Sequence, residues 1–307
     1  MATKTTDRNP SRRTRAANAW DAMNELDKDL HQALYALDLL TIPIAAKMFS
    51  AADAKNAATT LGQHLYKLKS LGLADYVERK HRLRIYYLTE LGRFLGGVLA
   101  AGRWDAVGKI RDPLRGGELL HQPYTQHFLE VAEVAASFSY LQDRQKGRLE
   151  RWHGDHRENS WECGRDGANH RLYPDGRGIV TDGNGGAFSF LLELERNNPK
   201  QEEAVEKFMK YCLMEMTKEF QKQTGENKMP PVLVVTVSPF KSANAVEKAV
   251  IAGTLKARLT IPDASRRIVF ALTTLTQIRE HGPYSQIWRC PLQAKSNVSF
   301  WELYELI

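Results

Sequence analysis

The run Ala187-Phe188-Ser189-Phe190-Leu191-Leu192-Glu193-Leu194-Glu195, entered from Asp182-Gly183-Asn184-Gly185-Gly186, constrains this chain more than any other segment. A dense apolar and aromatic run bounded by a glycine-rich turn reads as one strand of a hairpin. The preceding segment, Arg171 to Val180, reads as its partner, and a helix is predicted to follow over Gln201 to Gln221. Side chains two apart in a strand share a face, so Glu193 and Glu195 project together, and the partner strand brings Asp175 within range of both. Converging carboxylates repel one another unless a cation sits between them, and hard oxygen ligands favour Mg²⁺. Asp175, Glu193 and Glu195 are therefore the candidate catalytic residues and the candidate metal ligands. Acids at strand ends are also common as exposed surface groups, and Arg196 could close the three into an ion-pair network without metal.

After this hairpin and helix come a strand at Val232 to Val237, a helix from Ala243 to Leu255, a strand at Ile268 to Thr273 and a short helix from Leu275 to His281. Before it, a long amphipathic helix runs from Glu118 to Gln142 and a strand spans Leu149 to Trp152. The order is α/β (α+β), and the later Val- and Ile-rich strands read as buried and parallel, which gives a mixed central sheet.

The first third of the chain differs in charge. Residues 1–111 hold 18 Lys and Arg against 11 Asp and Glu, whereas the remainder is balanced at 25 against 25, so the whole net charge of +7 lies there. A localised basic excess suits a partner with a phosphate backbone. Residues 1–18, with Arg8, Arg12, Arg13 and Arg15, read as a disordered basic tail. Helical spacing then links Leu26, Leu30, Leu34 and Leu37; Thr41 and Pro43 open a short helix; and a third helix spans Asp53 to Ser70, ending at Gly72. Two short strands, Ala74 to Glu78 and Arg84 to Leu88, flank the basic turn Arg79-Lys80-His81-Arg82, and a fourth helix starts after Thr89. This is the layout of a winged helix-turn-helix. Its third helix would read bases through Asn56, Thr59, Thr60, Gln63 and Lys67, while Arg79, Lys80, Arg82 and Arg84 of the wing would touch phosphates. His64 on the same helix reads as a satisfied surface residue. Double-stranded DNA is thus the expected partner, and a homodimer is the arrangement a palindromic site would call for.

The expected organisation is a tail over 1–18, a DNA-binding domain over 19–95, a Gly- and Pro-punctuated linker over 96–117, a catalytic or binding domain over 118–290 and a C-terminal tail over 291–307. With 307 residues, 43% hydrophobic and 26% charged, the chain has a globular composition and room for two domains. No apolar run approaches the ~18 residues of a spanning helix, and the N-terminus lacks the apolar core of a signal peptide. Cys163, Cys212 and Cys290 form no Cys-x-x-Cys pair. A cytoplasmic setting without membrane contact is the expectation.

Pro174-Asp175 followed by Glu193-Leu194-Glu195 resembles the motif of the PD-(D/E)XK nuclease-like superfamily. Where that motif places a lysine to polarise the attacking water, this chain has Glu195. Lys207 and Lys210 on the following helix are conceivable substitutes, and Glu130 is a conceivable further ligand. The whole chain, over about residues 20–290, is also similar to the replication-relaxation family of plasmid and mobile-element proteins. That resemblance rests on Leu65-x-x-Leu68-x-x-Leu71-Gly72-Leu73, Tyr86-Tyr87-Leu88-Thr89-x-x-Gly92, Tyr173-Pro174-Asp175-Gly176, Phe190 to Arg196, Tyr211 and Pro231 to Thr236. It implies DNA binding tied to replication, relaxation or conjugative mobilisation, with a relaxase or replication protein as a conceivable protein partner. Two other functions stay open: a Mg²⁺-dependent endonuclease using Asp175, Glu193 and Glu195, and a winged-helix transcriptional regulator whose C-terminal domain is not catalytic.

Overall fold

A computed structural model describes residues 11–49, 54–79, 81, 83–101, 124–139, 147–154, 161–163, 170–196, 201–237, 241–260, 268–293 and 297–306. The chain divides into two compact units, Met1–Ala132 and Glu133–Ile307.

In the first unit the described order is α1 (Arg12–Asp21), α2 (Glu25–Leu37), β1 (Leu39–Leu40), α3 (Ile42–Phe49), α4 (Ala54–Ser70), β2 (Ala74–Arg79), β3 (Leu83–Leu88) and α5 (Glu90–Ala101). The three strands form an antiparallel sheet in the order β1-β3-β2. The helix ends follow local chemistry. Asn24 and Asp27 form a reciprocal capping box at the start of α2. Thr41 accepts from the Ile44 amide at 3.4 Å, and Thr89 accepts from the Gly92 amide at 3.2 Å. Gly72, at φ 72°, ends α4 while the Leu73 amide returns to the Leu68 carbonyl at 3.0 Å. The core takes Leu30, Leu34 and Leu37 from α2, Leu61, Leu65 and Leu68 from α4, and Ile85 and Leu88 from β3, all buried.

Two boundaries of this unit differ from expectation. Residues 12–18 are not a disordered tail but part of α1, capped by Ser11, with Ala16 and Ala19 buried. Alanine gives that buried face too little hydrophobicity to show a helical period. Gly96-Gly97 does not open a linker, because α5 continues through both to Ala101. A Cβ on Gly96 would lie 2.1 Å from the Tyr35 ring, so here glycine permits close helix packing instead of marking a break. Residues 102–117 lie outside the described residues.

In the second unit a five-stranded mixed sheet has the order β10 (Phe270–Thr274), β9 (Val232–Thr236), β8 (Ala187–Glu195), β7 (Gly176–Thr181) and β4 (Arg148–His153). β8, β9 and β10 are parallel, and β8-β7-β4 are antiparallel. β9 is buried throughout, as expected of an interior parallel strand. A two-stranded ladder joins β5 (Trp161–Cys163) to β6 (His170–Leu172). Helix α6 (Thr125–Phe138), within which the boundary between the units falls, precedes the sheet in sequence. Four more helices accompany it: α7 (Gln201–Thr217), α8 (Glu219–Thr224), α9 (Lys241–Thr260) and α10 (Leu275–His281). The mixed α/β architecture is as expected.

The single strand expected over Arg171 to Val180 is split. β6 stops before Tyr173-Pro174-Asp175 and β7 starts at Gly176 in a different sheet, since Pro174 lacks the amide a ladder needs. The helix expected over Gln201 to Gln221 breaks at Lys218, which adopts φ 56°. The C-terminal segment is not a free tail: Phe300 and Leu303 are buried, and Tyr304 donates to the Ser189 carbonyl at 2.5 Å. Phe300 lies 5.2 Å from Phe138 and 5.7 Å from Phe190, ring centre to ring centre.

Candidate functional site

Glu193 and Glu195 lie at the end of β8 and pair with Val234 and Thr236 of β9. Both are buried, at 2% and 7% exposure. Asp175 sits just before β7. Its amide donates to the Leu192 carbonyl at 2.9 Å, and its Oδ2 accepts from the Leu194 amide at 2.7 Å, so the carboxylate is held against the acidic strand end. The three acids are thus brought together as the hairpin pattern requires.

The cation between them comes from α7. Lys207 Nζ lies 2.9 Å from Glu193 Oε2 and 2.7 Å from Glu195 Oε1. Four residues on, and so on the same helical face, Tyr211 donates its hydroxyl to Glu193 Oε1 at 2.5 Å. Sequence reasoning noted Lys207 but not this role for Tyr211; the i, i+4 spacing was the available signal. α7 is held in place by α9, where a Cβ on Gly253 would lie 2.7 Å from the Val205 carbonyl oxygen and 2.9 Å from Phe208 Cβ. Lys210 pairs instead with Glu206 at 3.2 Å. Glu130, on α6, is buried and accepts from Gln126 of its own helix at 3.0 Å.

Electrostatics match this geometry. Burial, reinforced by Asp175 and Glu195, raises the Glu193 carboxyl to about 7 against the pull of Lys207. Burial alone would lower the Lys207 ammonium, but Glu193 and Glu195 outweigh it and hold the ammonium above its ordinary value. Burial and Glu193 likewise raise the Tyr211 hydroxyl well above its usual range. A cavity of about 330 Å³ adjoins the cluster, lined among others by Arg171, Tyr173, Glu193, Lys207 and Lys210. Several shifted groups beside a cavity mark a candidate site on physical grounds.

As arranged, the acids do not present the ligand set expected for Mg²⁺. Both oxygens of Glu193 accept from Lys207 and Tyr211. Among the described residues, no group of three or more His, Cys, Asp or Glu side chains is placed to hold a metal ion.

In the first unit, α4 turns Thr59, Thr60 and Gln63 outward. Tyr66, which sequence reasoning passed over, continues that face at 59% exposure. The apolar stripe Leu61-Leu65-Leu68 implied it, since Gln63 and Tyr66 fall on the opposite side. Lys67 donates to Asp27 Oδ2 of α2 at 2.5 Å. His64 lies 2.6 Å from Asp27 Oδ1 and is satisfied there. Arg84 is exposed, 3.8 Å from Glu78 and 4.8 Å over the Tyr76 ring, and Arg79 is half-buried. Lys80, Arg82 and the side chain of Asn56 lie outside the described residues.

Among the described residues no helix is long and apolar enough to cross a membrane. Cys212 and Cys290 are buried and form no disulfide. No curated protein matches the chain, and no solved structure does. The replication-relaxation family model matches residues 32–229, well over half of the sequence and across both units. The chain therefore belongs to the replication-relaxation family, and its function is a replication-related one.

Proposed function

We propose that the protein is a double-stranded DNA-binding protein of a plasmid or mobile element, acting in replication, DNA relaxation or conjugative mobilisation. The observation that carries this reading is the outward face of α4, made by Thr59, Thr60, Gln63 and Tyr66, on a helix that Lys69 ties to Asp75 of the β2–β3 hairpin. This pairing lies in the third of the chain that holds all of its excess positive charge. The α4 helix would enter the major groove as the recognition helix of a winged helix, with Arg79, Lys80, Arg82 and Arg84 as a phosphate-contacting wing. Two units matched by one family model support a division of labour, in which the first docks on DNA and the second acts on it or recruits a relaxase or replication protein. A homodimer would suit a palindromic site.

A second reading, phosphodiester cleavage by a nuclease-like domain, is favoured by the convergence of Asp175, Glu193, Glu195 and Lys207 beside a cavity; with Mg²⁺ it would require Lys207 to leave the gap between Glu193 and Glu195. Lys207 supplies from α7 the ammonium that Glu195 displaces from the usual motif position. Incubating purified protein with supercoiled plasmid in Mg²⁺ or Mn²⁺, with Asp175→Ala as control, tests this reading. A gel shift in EDTA tests the first. Retarded DNA in EDTA supports the binding function, and nicking lost in Asp175→Ala adds the enzymatic one. No retardation at low salt rejects the binding function.

A further inference from the structure

We propose that Lys207 is a built-in counter-ion occupying the gap between Glu193 and Glu195, so that this lysine and a divalent cation exclude one another there. The ammonium bridges one oxygen of each glutamate at 2.9 and 2.7 Å. Tyr211 takes the other Glu193 oxygen at 2.5 Å, and the Leu194 amide takes Asp175 Oδ2 at 2.7 Å. A Mg²⁺ ion needs oxygens at about 2.0–2.1 Å in near-octahedral array. In the gap between Glu193 Oε2 and Glu195 Oε1 such an ion would have to displace the ammonium that those two oxygens face. It would also sit beside the lysine's positive charge, and like charges repel.

The lysine is anchored on a fixed backbone. It is carried mid-helix on α7, and the close approach of Gly253 to Val205 and Phe208 fixes that helix. An exchangeable metal is thereby replaced by a tethered cation of fixed stoichiometry. The inference rests on the cluster geometry and not on DNA binding, so the two stand or fall separately.

Calorimetric titration of the full chain with Mn²⁺ tests it, using wild type, Lys207→Gln, Lys207→Arg and Lys207→Gln/Glu195→Gln. The expected result is one Mn²⁺ site in Lys207→Gln at least tenfold tighter than any site in wild type. That site should be absent from Lys207→Arg and lost again in the double variant. A folded Lys207→Gln that gains no site overturns the proposal. Should Lys207→Gln fail to fold, wild type and Glu193→Gln decide. Equal Mn²⁺ binding by the two supports exclusion by the lysine, and a wild-type site that Glu193→Gln abolishes overturns it.

Discussion

Lys207 Nζ lies 2.9 Å from Glu193 Oε2, joining the first turns of α7 to the end of the central strand β8 across fourteen residues of sequence. The contact welds helix to sheet and leaves two buried carboxylates dependent on one cation. Removing one partner of a buried pair costs several kcal/mol, because the other is left desolvated and unpaired. Lys207→Met is expected to destabilise the second unit by about 3 kcal/mol, the lower end of that range, because the lysine is about one-third exposed. Lys207→Arg should cost much less. Urea denaturation followed by tryptophan fluorescence measures both, and equal losses would mean that shape matters more than charge.

Glu193 gives the unit a pH dependence. Its carboxyl is raised from the ordinary 4.5 to about 7, so the folded chain holds a proton that the unfolded chain has released between those values. The stability this contributes is complete below pH 4.5 and is lost as pH rises through about 7, at up to about 1.4 kcal/mol per pH unit. Melting curves from pH 5 to pH 8 should therefore decline in wild type and flatten in Glu193→Gln. An unchanged decline in the variant would assign the proton elsewhere.

Asp27 behaves in the opposite sense. It is fully buried, and although burial would raise its pKa, hydrogen bonds from Lys67 and His64 hold it below the ordinary 3.8. Its contribution is present above that value and is lost as pH falls through the depressed one. Asp27→Asn is expected to destabilise the first unit by about 1–3 kcal/mol at neutral pH, since Lys67 and His64 lose a charged acceptor. Thermal melts at pH 7 check this, and a loss below about 0.5 kcal/mol would contradict the role of Asp27 in joining α2 to α4.

Gly253→Ala sets two effects against each other. In an exposed helix alanine would gain about 1 kcal/mol over glycine. Here the new Cβ would meet the Val205 carbonyl oxygen at 2.7 Å, a backbone atom that cannot swing aside. Overpacking costs of about 1–3 kcal/mol win, and the displaced α7 should carry Lys207 and Tyr211 away from Glu193. Lower stability, together with a Glu193-linked decline that extends to higher pH because the lowering pull of Lys207 and Tyr211 is gone, is the expected signature.

Much of this was legible in the sequence because local signals agreed with tertiary ones. The dense run Ala187–Glu195, the glycine turn before it and the wholly apolar β9 dictated neighbouring strands, and hence the meeting of Asp175, Glu193 and Glu195. Lys207 was visible only as one charge among several on a helix; its bridging role depends on how α9 docks on α7, which no local pattern encodes. The α1 helix was missed because it buries alanines, and the extent of α5 was missed because Gly96 serves packing. The pairing of Lys67 with Asp27 was not legible because a lysine on a helix flank gives no sign of a buried acid behind it.

DNA recognition by the first unit is the central claim, and fluorescence anisotropy of a labelled duplex in EDTA at graded salt tests it most directly. Affinity should fall as salt rises. Replacing Arg79, Lys80, Arg82 and Arg84 together should weaken binding and flatten the log–log slope by up to about 3 to 4 if each touches a phosphate. Absence of salt-dependent binding in wild type, or an unchanged slope in the fourfold variant, would contradict the account.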